Sequence, residues 1–324
     1  AADDVALVRR NTLHPLSRGH AMWFYDFGPH QRTGWWWWPE MNQEIAGLKA
    51  LFDRRMNEEY VPEADVLVVW DQRSYYHTAS SWTPVSESAL DAVSNDLYKS
   101  GVAHDDIFLS DLERVDLSRY KVVFFANAWR FDEVARKQVA RVVASGRHAV
   151  FSYLPGYTDG RRNELALASE LVGMKLARVA PVAKPQIAVD GEGLPALTYG
   201  LEYKTPLDPM PVVDDPAAEV LGKLEGSGQV ALARRKTPAG GAVWYSSLPL
   251  RSPPLLRALF RTAGAHVYQD GGDALHAGLG LVWLHTLDGG RRTITLRNGR
   301  TVDLELAPHS TVVLDARSGE RLLP

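Results

Sequence analysis

The segment Ala64–Trp70 (ADVLVVW) is an almost unbroken apolar run, too short for a buried helix and rich in β-branched residues. Such a run suits a strand buried on both faces, which is the condition of strands in a parallel sheet. Similar runs recur at Ile107–Leu109, Val122–Ala126 and Ala149–Tyr153, with helical stretches at Glu87–Ser100 and Phe131–Ser145 between them. Strands alternating with helices predict a parallel sheet covered by helices on both faces. Lys175–Leu197 is less regular and reads either as strands or as a surface excursion. Beyond it, Gln229–Arg234 and Ala242–Ser246 predict a hairpin around Pro238-Ala-Gly-Gly241, and a helix is expected over Pro254–Ala263.

The two ends of the chain have a different character. A helix is expected over Asp3–Ser17, followed through Gly19 by a short strand, Ala21–Tyr25, that ends at Asp26. A loop from Phe27 to Pro39 then holds four consecutive tryptophans, and Pro39 suits the first turn of a helix bearing Met41, Ile45, Leu48, Leu51 and Phe52 at helical spacing. At the other end, Leu281–Thr286, Thr293–Arg297, Val302–Leu306 and Thr311–Leu314 are short strands separated by Asp288-Gly-Gly290, Asn298-Gly299 and Pro308-His-Ser310. They predict a small antiparallel sandwich.

With 324 residues, 45% of them hydrophobic, the chain is long enough for roughly two domains. No basic segment followed by an apolar one marks a signal peptide, and the first helix reads as already under way, so the chain is expected to open inside a domain. The formal net charge of −3 gives no clustered basic surface for nucleic acid or an anionic membrane, and no apolar run nears the roughly 18 residues of a membrane span. Absence of cysteine removes disulfides, thiolate metal sites and thiol nucleophiles, and fits either cytoplasm or periplasm. No cofactor is expected, and the scattered histidines show no metal-site spacing.

Five of the ten tryptophans fall between Trp23 and Trp38. Flat indoles suit the apolar faces of pyranose rings, and a strand end followed by an aromatic loop is where a (β/α)8 barrel carries its site. Four tryptophans in a Gly/Pro loop fit either a sugar subsite or a subunit interface. Glycosidic hydrolysis needs two facing carboxylates. Glu40 and Glu44 are one helical turn apart and expected to face solvent, Asn57-Glu58 follows a helix rather than a strand, and neither supplies that pair. Asp71-Gln-Arg-Ser-Tyr-Tyr-His77-Thr-Ala-Ser80 is loosely like a flavin phosphate loop but lacks its glycines. Ser152 has no G-x-S-x-G elbow, so it and His148 read as ordinary strand residues.

Three stretches together resemble the C-terminal portion of family 42 glycoside hydrolases, the β-galactosidase type. Gly19-His-Ala-Met-Trp-Phe-Tyr-Asp-Phe-Gly28, with Gly34-Trp and the helix from Pro39, is similar to their last barrel strand and helix. Phe151-Ser-Tyr-Leu-Pro-Gly-Tyr-Thr-Asp-Gly160, with Leu171-Val-Gly173, resembles the middle of their trimerisation domain. Ala263-Gly-Ala-His-Val-Tyr-Gln-Asp270, with Asp273 and Leu284-His285, is similar to the junction into their C-terminal β domain.

The resemblance implies an α/β chain in three parts. Residues 1–59 would end a (β/α)8 barrel, 60–270 would form a flavodoxin-like, glutamine-amidotransferase-like trimerisation domain, and 271–324 a small antiparallel β-sandwich. It implies part of an enzyme that hydrolyses β-glycosides with retention, through two barrel glutamates that would precede Ala1. No catalytic residue is therefore assigned. Trp23, Tyr25 and Asp26 fall at the end of the eighth strand as substrate contacts, and Trp35 takes the place of the family's Gly-Trp tryptophan. Trp36–Trp38 depart from the family pattern, where Tyr and Asp are usual. The implied partners are a carbohydrate substrate, two further copies in a homotrimer, and a companion chain or segment carrying the rest of the barrel. Without it, Leu13, Met22 and Leu48 would expose apolar surface. Two other readings stand beside this one: a non-catalytic assembly or carbohydrate-binding module, and a flavodoxin-like cofactor binder.

Overall fold

The computed structural model describes residues 2–24, 38–77 and 84–323. They divide into two compact units, one of residues 1–64, 98–103 and 266–324, the other of residues 65–97 and 104–265.

The first unit opens with α1 (Ala2–Leu16), which carries Asp3 and Asp4 in its first turn and His14 in its last, complementing the helix dipole at both ends. Helix α2 (Pro39–Arg55) starts on a proline that gives up no needed hydrogen bond and ends on Arg54 and Arg55. Each helix presents one apolar stripe, Leu13 and Leu16 on α1 and Leu48 and Leu51 on α2.

The second unit is built on the expected parallel strands. β1 (Val66–Trp70) leads through a 3-10 turn and the helical segments α3 (Pro84–Glu87) and α4 (Val93–Tyr98), joined by a π turn, to β2 (His104–Phe108). Then come β3 (Val122–Phe125), α5 (Glu133–Ala144), β4 (His148–Ser152) and α6 (Leu165–Val172). The less regular region resolves into strands: β5 (Leu176–Val179), β6 (Gln186–Val189) and β7 (Leu197–Gly200). They are followed by β8 (Met210–Val213), β9 (Glu219–Leu224), β10 (Val230–Lys236), β11 (Ala242–Ser246) and α7 (Pro253–Thr262).

Nine of these strands form one sheet in the order β2-β1-β3-β4-β11-β10-β9-β6-β7. The first five are mutually parallel, with β1 in register between β2 (Val66↔His104) and β3 (Val66↔Val122), and β4 beside β11 (Ala149↔Val243). Their order is that of a flavodoxin-like sheet, in which the chain reverses its direction of winding between β1 and β3. The other half is antiparallel, so the sheet is mixed rather than purely parallel. The expected β10–β11 hairpin is present (Lys236↔Ala242), and β10 continues through a bulge onto β9. Four strands whose residues are almost wholly buried, β1, β3, β4 and β11, lie at its centre. β5 and β8 pair separately (Leu176↔Val213).

The chain then returns to the first unit with β12 (Ala274–Gly278), β13 (Leu281–Thr286), β14 (Gly290–Thr295), β15 (Thr301–Leu306) and β16 (Ser310–Asp315). β12-β13-β16 form a three-stranded antiparallel sheet and β14-β15 a ribbon. β12 was not among the expected strands. The apolar stripes of α1 and α2 do not lie bare as expected. Leu13, Leu16, Leu48 and Leu51 close on Leu281, Trp283, Val313 and Leu323, and Leu13 and Leu48 are fully buried there. Each such leucine contributes about 1.5–3 kcal/mol by leaving water. Met22 alone of the three named residues is exposed.

Candidate functional site

Helix α1 ends in a Schellman motif, in which Gly19 takes φ +75°. The Gly19 N–H donates to the Leu16 carbonyl (2.9 Å) and the His20 N–H to that of Pro15 (2.9 Å), so the last carbonyls are satisfied and the chain turns out of the helix. The side chains there are locked from below. The Arg18 guanidinium donates to the Tyr98 hydroxyl at 2.5 Å and lies over its ring, and the His14 ring sits 5.0 Å from that of Tyr98. Tyr98 stacks on Trp283, whose indole N–H donates to Ser17 Oγ at 3.1 Å. This His–Arg–Tyr–Trp cluster escaped the sequence reading, because its members come from α1, α4 and β13 and share no local pattern.

Beyond the motif, His20–Trp23 run exposed, and Trp23 leaves 75% of its surface in water. An indole so exposed suits a flat apolar ligand face. Residues 21–24 carry no strand pairing, unlike the expected strand Ala21–Tyr25. Tyr25, Asp26 and Trp35 lie outside the described residues, as do Trp36 and Trp37.

Glu44, Glu58 and Asp315 of this unit are engaged by arginines. Glu44 was expected in solvent; it is buried, and both its oxygens accept from Arg9, at 2.7 and 2.5 Å. Glu40 is exposed, as expected. Glu58 accepts from Arg54 (3.0 Å), Arg55 (3.2 Å) and the Tyr60 hydroxyl (2.7 Å), which holds its carboxyl below the usual range, the tyrosine first. Arg55 also reaches Asp315 at 2.6 Å. Burial opposes ionisation of Asp315, yet the Ser318 N–H, Arg55 and the Arg317 N–H outweigh it and bring its pKa down to about 2.

In the second unit the crevice between β1 and β3, where flavodoxin-like folds take ligands, is cross-linked by the protein's own groups. The Asp71 N–H donates to Asn127 Oδ1 (2.8 Å), and Asn127 Nδ2 returns to the Asp71 carbonyl (3.2 Å). Ser74 Oγ donates to the Asp71 carboxylate (2.6 Å) and accepts the N–H groups of Trp129 (2.9 Å) and Arg130 (3.1 Å). The amides of Asp71, Trp129 and Arg130 are thus taken up internally. Residues 78–80 of the loop compared with a flavin phosphate loop lie outside the described residues. Ser152 is a buried strand residue whose Oγ accepts from the Leu250 N–H, and His148 Nδ1 accepts from the Trp244 indole at 3.1 Å.

No family model matches the sequence, and no curated protein does. Solved structures do match. The β-galactosidase from Bacillus circulans sp. alkalophilus superposes with a TM-score of 0.60 at 19% identity, over 88% of this chain and 45% of that one. In fold, the chain is similar to part of a β-galactosidase. The β-galactosidase of the Antarctic haloarchaeon Halorubrum lacusprofundi gives 0.60 at 18% identity, over 85% of this chain and 43% of that one. A family 42 β-galactosidase from G. stearothermophilus, a catalytic mutant, gives 0.58 at 15% identity with the same coverage, 85% and 43%. The chain therefore spans less than half the length of the β-galactosidases it matches. Among the described residues no helix is long and apolar enough to cross a membrane.

Proposed function

We propose that this chain is part of a retaining glycoside hydrolase acting on β-glycosides of the galactoside type. The observation that carries this reading is the asymmetry of the fold match: 85–88% of this chain corresponds to only 43–45% of each family 42-like β-galactosidase. On this reading residues 1–59 end the catalytic barrel, 60–270 form the oligomerisation domain of a homotrimer, and 271–324 the C-terminal β domain. The two catalytic glutamates belong to a companion segment that completes the barrel. Glu44 and Glu58 fit that assignment, since both are already held by arginines.

Within this chain the proposed substrate contacts are Trp23, Tyr25, Asp26 and Trp35. Trp23 supports the assignment by its exposure beside the anchored Gly19 turn. Its indole would stack on the C–H face of the sugar, with the Asp26 carboxylate accepting from hydroxyls. Hydrolysis of an aryl β-galactoside by the completed enzyme tests the reading, comparing wild type with Trp23→Ala and Asp26→Ala. Selective loss in both variants is expected; full activity in both overturns the assignment of this segment to the sugar site.

A further inference from the structure

The carboxyl ends of β1 and β2 and the loop after β3 enclose a cleft of about 420 Å³, a size suited to a small ligand. Its floor is preorganised by the cross-links already described. Ser74 holds the Arg130 N–H, residue 130 pairs with Thr158 in a parallel bridge, and Gly160 lies where a Cβ would come within 3.2 Å of the Arg130 guanidinium. The Arg130 side chain is only 20% exposed, yet no side-chain hydrogen bond from it is present among the described residues. Its nearest charged group, Asp132, stands 3.4 Å away, and Arg73 reaches the same Asp132 oxygen at 3.5 Å. The other Asp132 oxygen caps α5 through the Ala135 N–H (3.0 Å). A largely buried guanidinium with unfilled donors on a cleft is poised to donate to a ligand.

The rest of the lining decides what kind of ligand. Two arginines meet three carboxylates, Asp71, Glu113 and Asp132, so a free anion gains no net attraction. Gln72 and Gln138 add groups that both donate and accept. At the rim Phe108 keeps 45% of its surface in water, offering a flat apolar face. Planar amide, carboxylate and guanidinium groups beside one exposed ring match a neutral pyranose. Such a sugar presents adjacent hydroxyls, which donate and accept, and an apolar C–H face. We infer that this cleft is a binding site for a neutral saccharide, with Phe108 as the stacking platform and Arg73, Arg130 and Asp132 as the hydroxyl-binding group.

The test is saturation-transfer NMR on the chain with methyl β-D-galactopyranoside, with D-galacturonate and inorganic phosphate as anionic probes. The proteins are wild type, Phe108→Ala, Arg130→Gln, Arg73→Gln and Trp23→Ala. Arg73 is mostly exposed, so Arg73→Gln retains the fold even if Arg130→Gln does not. The expected result is that the neutral glycoside binds, that Phe108→Ala and the arginine variants weaken it on the order of tenfold, equivalent to ~1.4 kcal/mol, and that Trp23→Ala leaves this component in place. Absence of binding to the wild type overturns the inference. Loss confined to Trp23→Ala also overturns it while leaving the proposed barrel-end contact intact. Binding of galacturonate or phosphate through the arginines without the neutral glycoside overturns the ligand class.

Discussion

Arg9 and Glu44 meet in two side-chain hydrogen bonds of 2.7 and 2.5 Å, with both side chains about nine-tenths buried between α1 and α2. The Arg9 guanidinium also donates to the Thr311 carbonyl of β16 (3.1 Å), so one ion pair ties both N-terminal helices to the C-terminal sheet. Removing one partner leaves an uncompensated buried charge. Glu44→Ala is expected to cost about 3–5 kcal/mol, whereas the double change Arg9→Met, Glu44→Leu should recover most of that loss. Urea unfolding of the two variants beside the wild type checks this, and a single substitution that leaves the midpoint unmoved would show the pair to be idle.

Leu48 sits fully buried against the sheet that carries Trp283 and Val313. Leu48→Ala should destabilise by roughly 2–5 kcal/mol through lost burial and the cavity left behind. Thermal unfolding would read this as a lower midpoint. A change within about 0.5 kcal/mol would mean that α2 does not rest on the β13–β16 sheet.

Ser74 satisfies two backbone N–H groups, of Trp129 and Arg130, from a fully buried position. Ser74→Ala leaves the Arg130 N–H without its acceptor, whereas the Trp129 N–H keeps the Asn127 carbonyl at 3.1 Å, and about 1–3 kcal/mol of stability should go if no water reaches the Arg130 amide. Hydrogen exchange at the Arg130 amide is the direct readout. Unchanged protection would contradict the cross-linked crevice.

These three relationships show where sequence reading stops. β1, β3 and β4 were legible because strands buried on both faces are apolar without interruption. Glu44 was misread because a glutamate one turn from Glu40 looks solvent-facing until Arg9, 35 positions away, is placed against it. The stripes of Leu13 and Leu48 were legible as apolar, but their partners in β13 and β16 lie at the far end of the chain. Of the candidate site, Trp23 was singled out, but in an expected strand Ala21–Tyr25, whereas residues 21–24 carry no strand pairing. The Tyr98–Trp283 support could not be foreseen, since long-range contacts leave no local period. β12 (ALHAG) escaped because its alanines and glycine resemble a linker more than a strand.

Two histidines make stability depend on pH. Burial pushes His148 below the ordinary histidine range, helped by the Arg234 charge, and His148 Nδ1 must stay unprotonated to accept from Trp244. Burial likewise lowers His285, followed by Arg10 and His309. The unfolded chain, with histidines near about 6.5, then binds protons more readily than the folded one. The histidine contribution is fully present above about 6.5 and is lost as pH falls below it toward the lowered folded values. Asp315, held at about 2, keeps its charge throughout that window and does not offset the loss. The urea midpoint should drop between pH 7.5 and 5, and His148→Gln should flatten the slope; a rise on acidification would contradict the assignment.

Native mass spectrometry of the species that carries this chain in its natural source, coupled to an aryl β-galactoside assay on the same fraction, tests the central claim most directly. The account predicts these residues in an assembly heavier than the 35.9 kDa chain, containing polypeptide enough to close a barrel and releasing galactose with retained configuration. A lone 35.9 kDa chain, inert toward the glycoside, would contradict it.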